Sequence, residues 1–88
     1  MPYVYILQSL KNQRYYIGST SDIQQRFLSH RTGQVQATKN LLPLKIVLQQ
    51  EYIDINVARK IERKLKKLKR RDYIEKIIKD GIIKISGG

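Results

Sequence analysis

The fold is decided by residues 3–18, which read YVYILQSLKNQRYYIG. Residues 3–8 form a β-branched and aromatic run typical of a strand, residues 11–13 are polar and turn-like, and residues 14–18 form a second strand. Two strands this close in sequence are expected to pair as an antiparallel hairpin. With a loop of two or four residues, residue i of the first strand lies opposite residue 23 − i of the second strand. A three-residue loop with a bulge would shift this pairing.

The remainder of the chain continues with helical and strand patterns. Ser21 is predicted to cap a helix with Gln24 as its capping-box partner, and Gly33 is predicted to end that helix. A polar loop over residues 34–43 leads to a third strand over residues 44–53. Further along we predict a long helix capped by Asp54 and running to about residue 70, a short helix over residues 72–79, a break at Gly81, and a short strand or docked tail over residues 82–85. The order β-β-α-β-α-α predicts a single α+β domain over residues 1–88, with helices packed on a small antiparallel sheet.

The composition favours a folded protein that binds a polyanion. Hydrophobic residues make up 41% of the chain, and eighteen basic against seven acidic residues give a net charge of +11. A protein with such a surplus of positive charge usually binds nucleic acid. The alternatives are that it binds an anionic membrane surface or that the charge serves only solubility. No apolar run approaches the roughly 20 residues that span a bilayer. No secretory signal is evident and the chain has no cysteine, so we expect a cytoplasmic protein.

Two tyrosines of the hairpin are candidates for chemistry. In the 23 − i register Tyr5 faces Gly18, and Tyr5 and Tyr16 emerge on one face as diagonal neighbours. Gly18 is expected to leave an open slot beside the Tyr5 ring, where another group can approach the backbone closely. The alternative is that both tyrosines are ordinary strand residues that pack in the core.

The first predicted helix presents Arg26 and His30 at i and i+4, on one face. A guanidinium can clamp a phosphate with two hydrogen bonds, and an imidazole can transfer protons near neutral pH. The alternative is an exposed Asp22–Arg26 pair and a solvated histidine. The sequence lacks a His/Cys cluster for zinc, a glycine-rich phosphate loop and a Ser-His-Asp arrangement, so other familiar sites are not indicated.

Glu62 lies at the border of the apolar stripe of the long predicted helix. It is the only acid among nine bases between residues 59 and 71. A carboxylate at this position points towards the sheet. There it either holds a divalent cation or forms a structural ion pair with Arg59, Arg63 or Lys66.

Basic side chains on and near this helix are the predicted nucleic-acid contacts. Their density favours contact with phosphates, and a solvated helix face is the alternative. No dedicated element for reading bases is evident, so we do not expect sequence-specific recognition. The predicted contacts are Lys39, Arg59, Arg63, Lys66, Lys69 and Arg70.

The order and spacing of these residues resemble the GIY-YIG nuclease family. Residues 3–5, Tyr-Val-Tyr, stand where the family has Gly-Ile-Tyr, and residues 16–18, Tyr-Ile-Gly, match its second motif literally. Arg26 and His30 follow at the family's spacing, and Glu62 stands where the family keeps its metal-binding glutamate. The chain looks like the small stand-alone bacterial kind, whose pattern continues through Thr38, Pro43 and Ala58.

The resemblance implies a three-stranded antiparallel sheet flanked by helices, and a metal-dependent endonuclease that hydrolyses phosphodiester bonds in DNA. Because no base-reading element is evident, we expect this activity to have low sequence specificity. One ion, Mg²⁺ or Mn²⁺, would bind Glu62, and Tyr16 would be the general base that takes a proton from the attacking water. Tyr5 would position the water, Arg26 would neutralise the scissile phosphate, and His30 would hydrogen-bond a tyrosine or the phosphate. The implied partner is nucleic acid, DNA rather than RNA, bound by a monomer or a weak dimer.

Two departures from the family pattern bear on activity. Tyr3 replaces the first-motif glycine, and no clear equivalent is found of the asparagine that many family nucleases carry after the last helix. The alternative function is a non-catalytic nucleic-acid-binding module on the same fold. A small RNA-associated structural protein would account for charge and size but leaves the ordered motif unexplained.

Overall fold

The structure is a computed structural model that describes residues 1–68 and 70–84. Within these residues the strands are Tyr3–Ser9 (β1), Tyr15–Thr20 (β2) and Leu44–Glu51 (β3), which form an antiparallel sheet in the order β2-β1-β3. The helices are Ile23–Arg31 (α1), Ile55–Leu68 (α2) and Arg71–Asp80 (α3), and a 3₁₀ helix, Lys39–Leu41, precedes β3. The predicted α+β class, with a three-stranded antiparallel sheet and the order β-β-α-β-α-α, is confirmed.

The hairpin of β1 and β2 has the predicted register. Tyr5 lies opposite Gly18, and the other pairs of the hairpin follow the same rule. The backbone N–H of Ser9 donates to the carbonyl of Arg14 at 2.8 Å, which leaves residues 10–13 as a four-residue loop. The hairpin therefore orients the side chains of the two motifs as the sequence predicts.

Strand β1 is central because its residues are apolar on both faces. Val4, Tyr5, Ile6 and Leu7 are at most 1% exposed, which suits a strand that is covered on both sides. Strand β3 pairs along one side of β1, with a shift in register between Ile6 and Leu7. Strand β2 pairs along the other side and is an outer strand of the sheet.

The sheet separates two cores because its side chains alternate between faces. On one face Val4 and Ile6 pack against the buried residues of α2 and α3. On the other face Tyr5 and Leu7 pack against Phe27 of α1. Helix α1 and helix α2 therefore lie on opposite sides of the sheet.

The predicted N-cap of α1 was wrong by one residue. Asp22, not Ser21, is the cap, and its side chain accepts a hydrogen bond from the backbone N–H of Gln25 at 3.1 Å. The backbone N–H of Asp22 donates to the Thr20 hydroxyl at 3.1 Å, which helps to hold Asp22 in the extended conformation of a cap. Aspartate and serine cap equally well, so the fixed backbone decides between them, and the Ser21–Gln24 capping box is not formed.

The other ends of elements lie close to their predicted positions. Strand β3 ends two residues earlier than predicted, and α2 ends at Leu68 rather than at residue 70. Asp54 accepts a hydrogen bond from the backbone N–H of Val57 at 2.9 Å, as its predicted capping role requires. Gly81 ends α3 in the left-handed conformation, with φ of 75°.

The segment after Gly81 docks on the sheet. Ile83 is 4% exposed, its N–H donates to the side-chain oxygen of Gln50 at 2.7 Å, and its carbonyl accepts from the Gln50 amide at 3.3 Å. The docked-tail interpretation therefore holds for residues 82–84, whereas residue 85 lies outside the described residues.

Within the described residues no helix has both the length and the apolar character needed to cross a membrane. The longest helix of this part of the chain, α2, has 14 residues and is rich in charged side chains from Arg59 onwards.

Candidate active site

Tyr5 lies on the central strand with its ring over the backbone of Gly18. Tyr5 is 1% exposed, and a Cβ added at Gly18 would lie 2.6 Å from Cζ of the Tyr5 ring. Only a residue without a side chain leaves room for the ring at this distance. The slot beside Gly18 that the sequence predicts as open is therefore filled by Tyr5 itself, because the two residues pair directly across the hairpin.

His30 is buried and links Tyr5 to Thr38. Its Nε2 lies 2.8 Å from the Tyr5 hydroxyl, and its Nδ1 lies 2.8 Å from the Thr38 hydroxyl. Burial, together with the charge of Arg26, lowers the pKa of His30 to about 4, so the imidazole is neutral near pH 7. The solvated-histidine alternative is wrong, since His30 and Thr38 are both 0% exposed.

The Tyr5 hydroxyl has two hydrogen-bond partners. Arg26 Nε donates to it at 3.4 Å, and Nε2 of His30 is the second partner. In the tautomer that carries its proton on Nδ1, His30 accepts from the Tyr5 hydroxyl and donates to the Thr38 hydroxyl. Burial raises the pKa of Tyr5 against the opposing effect of the Arg26 hydrogen bond, so Tyr5 keeps its proton at neutral pH.

Tyr16 lies on the more accessible side of the same cluster. Its ring centre is 5.2 Å from that of His30 at an interplanar angle of 61°, and Tyr16 is only partly buried. Arg26 belongs to the same cluster, because its Nε donates to the Tyr5 hydroxyl, and this hydrogen bond is the main cause that raises the pKa of Arg26. The structure thus brings four predicted catalytic residues together on the α1 side of the sheet. Among the described residues Asp22 caps α1 and forms no ion pair with Arg26.

Glu62 reaches the same edge of the sheet from the opposite face. Its side chain is 19% exposed, and it accepts a hydrogen bond from the hydroxyl of Ser19 on β2. Its other oxygen pairs with Lys66 at 2.6 Å, and the Lys66 ammonium lies 5.7 Å from the Tyr16 ring centre. The carboxylate is therefore within about 8 Å of that ring centre, and the Lys66 ammonium contacts both groups.

The five predicted catalytic residues do not all line one open surface. Tyr5 and His30 are enclosed beneath Tyr16, whereas Glu62 lies on the far side of β2. The reason is the alternation of side chains along β2, which turns Tyr16 towards α1 and Ser19 towards α2. The candidate site wraps around the outer edge of β2. The Glu62–Lys66 ion pair that the sequence offered as a structural alternative is also present.

The basic residues predicted to contact nucleic acid occupy different surroundings. Lys66 belongs to the site because it pairs with Glu62. Arg70 pairs with Asp72 at 2.8 Å, in a position where both side chains are exposed. Lys69 lies outside the described residues. The remaining predicted contacts are exposed and are Lys39, Arg59 and Arg63.

Sequence reasoning missed two contacts of the site. Ser19 follows the Tyr-Ile-Gly motif directly, and the alternation of β2 places it on the α2 side, so a signal for it existed. Thr38 lies in an irregular loop, where no periodicity indicates which side chain turns inward. The sequence names Lys66 both as a nucleic-acid contact and as one of three possible ion-pair partners of Glu62, and its i,i+4 spacing from Glu62 is that of the pair observed.

Comparison with known proteins identifies the domain. A search of the curated proteins returned no significant match, and a search of the solved structures returned none either. The family model described as the GIY-YIG catalytic domain matches residues 1–77. This match includes the hairpin, α1, β3, α2 and most of α3. Because it covers most of the 88 residues, the chain belongs to the GIY-YIG catalytic domain family, whose members are endonucleases that act on nucleic acids.

Proposed function

We propose that this protein is a metal-dependent nuclease that hydrolyses phosphodiester bonds in DNA with low sequence specificity. The observation that carries the proposal is the meeting of two groups of side chains at the edge of β2. The hydrogen-bonded cluster of Tyr5, Arg26 and His30 lies on one side of Tyr16, and the Glu62 carboxylate lies on the other. Proton transfer, charge neutralisation and cation binding are what phosphodiester hydrolysis requires.

Glu62 is suited to hold one divalent ion, Mg²⁺ or Mn²⁺. Among residues 1–68 and 70–84, no three His, Cys, Asp or Glu side chains converge on a metal position. Mg²⁺ fits this sparse set of donors, since it is commonly held by one or two carboxylates together with substrate phosphate oxygens and waters. When bound, the ion supplies positive charge to the phosphate and the leaving oxygen.

Tyr16 is proposed as the general base for the attacking water. It is partly exposed, so water can approach it, whereas Tyr5 is 1% exposed and its hydroxyl already makes two hydrogen bonds. Tyr5 and His30 therefore act as positioning residues, which hold Arg26 and the Tyr16 ring in place. Arg26 supplies the positive charge that neutralises the phosphate as negative charge builds on it.

The basic surface of α2 supports binding without sequence preference. A shallow recess on the outer side of this helix, with a volume of about 400 Å³, is lined by Lys60, Arg63, Lys64 and Lys67. Lysine and arginine contacts to phosphates give salt-sensitive affinity and carry no sequence information. DNA, rather than RNA, is proposed by analogy with the family.

A non-catalytic nucleic-acid-binding module is the second candidate, and one observation favours it. Glu62 already has two partners, Ser19 and Lys66, so its carboxylate has a structural role in the absence of any ion. In that case the basic surface would bind nucleic acid and no bond would be broken.

Cleavage assays separate the two candidates. Plasmid DNA and single-stranded DNA are incubated with the wild-type protein in Mg²⁺, in Mn²⁺ or in EDTA. The proposal expects metal-dependent cleavage that falls by roughly 100-fold or more in Glu62→Gln. The matched control is Glu51→Gln, which removes the same charge from an exposed position at the end of β3. If wild-type and Glu62→Gln proteins digest every substrate equally, the activity is a contaminant and the binding module is the better account.

A further inference from the structure

A groove of about 420 Å³ follows the outer edge of β2, where α2 ends and α3 begins. Its apolar wall includes Tyr15 and Ile17 of β2 and Ile74 of α3. This volume lies within the roughly 300–1,000 Å³ of small-ligand sites. The groove adjoins the candidate active site, because Tyr16 and Lys66 line it as well.

The charged side chains of this groove are basic. Arg14, Lys66, Arg70 and Arg71 line it, and no acidic residue among the described residues does so. Such a wall attracts an anion and disfavours a cationic ligand. Three of these side chains pair with carboxylates that do not line the groove, Lys66 with Glu62, Arg70 with Asp72 and Arg71 with Glu75, so a bound anion would share them with these carboxylates. An apolar surface bordered by four basic side chains matches a ligand that has both a flat apolar part and a negative part.

Arg71 gives the groove a stacking surface. Its guanidinium carbon lies 4.7 Å from the centre of the Tyr15 ring, and its Nε lies 3.7 Å from the Glu75 carboxylate, in an exposed and therefore weak pair. A planar guanidinium held against an aromatic ring can stack a further planar group on its other face. Nucleobases are planar groups of this kind, and every base has a face that can stack.

We propose that this groove binds one unpaired nucleotide of a single-stranded nucleic acid, with its base stacked on the Tyr15–Arg71 pair. Its phosphates are held by Arg14 and Lys66. This inference rests on the proposed function, because the shared residues Tyr16 and Lys66 place the next phosphate of the strand at the edge of β2.

The bound base must be unpaired because both faces of a base in a duplex are already stacked on its neighbours. A duplex can contact the basic rim through its phosphates, but it cannot reach the apolar wall without unstacking a base, which opposes binding. The groove therefore predicts a preference for single-stranded segments, or for frayed and unpaired positions in a duplex.

Binding measured without cleavage tests this inference. Fluorescence anisotropy in EDTA compares a short single-stranded oligonucleotide with a blunt duplex of the same sequence, at one salt concentration. We expect tighter binding of the single strand, and a loss of roughly 5- to 150-fold in Tyr15→Leu, the range for losing one base stack. Tyr15→Leu should bind the duplex with the same affinity as the wild-type protein. The inference is overturned if the duplex binds as tightly as the single strand, or if Tyr15→Leu binds the single strand as wild type does.

Tyr15 also packs against the core, so Tyr15→Leu could weaken binding through a folding defect, and a second variant controls for this. Arg71→Gln removes an exposed side chain that covers the ring and forms a weak pair with Glu75, and Lys79→Gln at the other end of α3 is its charge-matched control. A 2-aminopurine base moved along the oligonucleotide should be quenched at one position by wild type, and less by Arg71→Gln than by Lys79→Gln. Equal quenching by both variants overturns the stack.

Failure of this inference differs from failure of the proposed function. If the protein cleaves DNA in a metal-dependent manner but Tyr15→Leu binds single strands as wild type does, the proposed nucleotide site is refuted and the proposed nuclease function stands. If Tyr15→Leu weakens the binding of single strands but the wild-type protein cleaves no substrate, the nuclease function is refuted. The groove is then the nucleotide site of a binding module.

Discussion

Acid should destabilise this protein through His30, because the imidazole is buried in its neutral form. Burial, with the charge of Arg26, lowers the pKa of His30 from 6.5 to about 4 in the folded state, and the unfolded chain returns it to about 6.5. Between these two values the unfolded state binds a proton that the folded state does not bind. Unfolding therefore becomes more favourable as the pH falls through this window.

The size of the effect follows from the two pKa values. One pKa unit corresponds to about 1.4 kcal/mol, so His30 contributes roughly 3 kcal/mol of stability that is fully present above pH 6.5 and lost progressively down to about pH 4. Because small domains have total stabilities of about 5–15 kcal/mol, a loss of this size is readily measured.

Urea unfolding followed by circular dichroism, at a series of pH values between 7 and 4, provides the assay. The comparison protein is His30→Gln, which keeps a polar side chain but does not titrate in this range. It should be less stable at neutral pH, and its further loss on acidification should be smaller by roughly 3 kcal/mol. The carboxylates titrate in both proteins, so the difference isolates His30. Parallel losses in the two proteins would refute the buried Tyr5–His30–Thr38 chain.

Three other perturbations test separate parts of the account. Gly18→Ala should lower the melting temperature and the cleavage rate together, because the added methyl group collides with the Tyr5 ring at a cost of roughly 1–3 kcal/mol; an unchanged melting curve would contradict this packing. Ile61→Ala leaves a cavity at a fully buried position of α2 and should lower the free energy of unfolding in urea by about 2–5 kcal/mol. The cleavage rate per folded molecule should not change, and a lower rate would argue against a purely structural role for Ile61. Binding to duplex DNA should weaken as salt is raised, and Arg63→Gln should reduce the log–log slope by about 0.9; an identical slope would show that Arg63 contacts no phosphate.

The features that the sequence predicted well are local ones. A short hairpin leaves few registers, so the pairing of Tyr5 with Gly18 follows from loop length. The apolar run of β1 indicated a strand, and helical periodicity placed Glu62 at the border of the buried stripe, where it now bonds to Ser19.

The features that the sequence did not predict depend on tertiary structure. Periodicity does not reveal that β2 is an outer strand, and so it does not reveal that Tyr16 and Glu62 approach its edge from opposite faces. The Thr38 contact comes from an irregular loop, where side-chain direction follows no repeat. Ser21 and Asp22 are both good caps, and only the backbone fixed by Thr20 selects the second.

Single-turnover cleavage rates in Mg²⁺ for wild type, Glu62→Gln, Tyr16→Phe and the double variant test most directly whether one site spans the edge of β2. If both side chains serve the same step, each single variant should lose roughly 100-fold or more, and the double variant should be no slower than the slower single variant. Losses that multiply in the double variant would show that Tyr16 and Glu62 act independently. Unchanged rates in both single variants would contradict a catalytic site at the edge of β2.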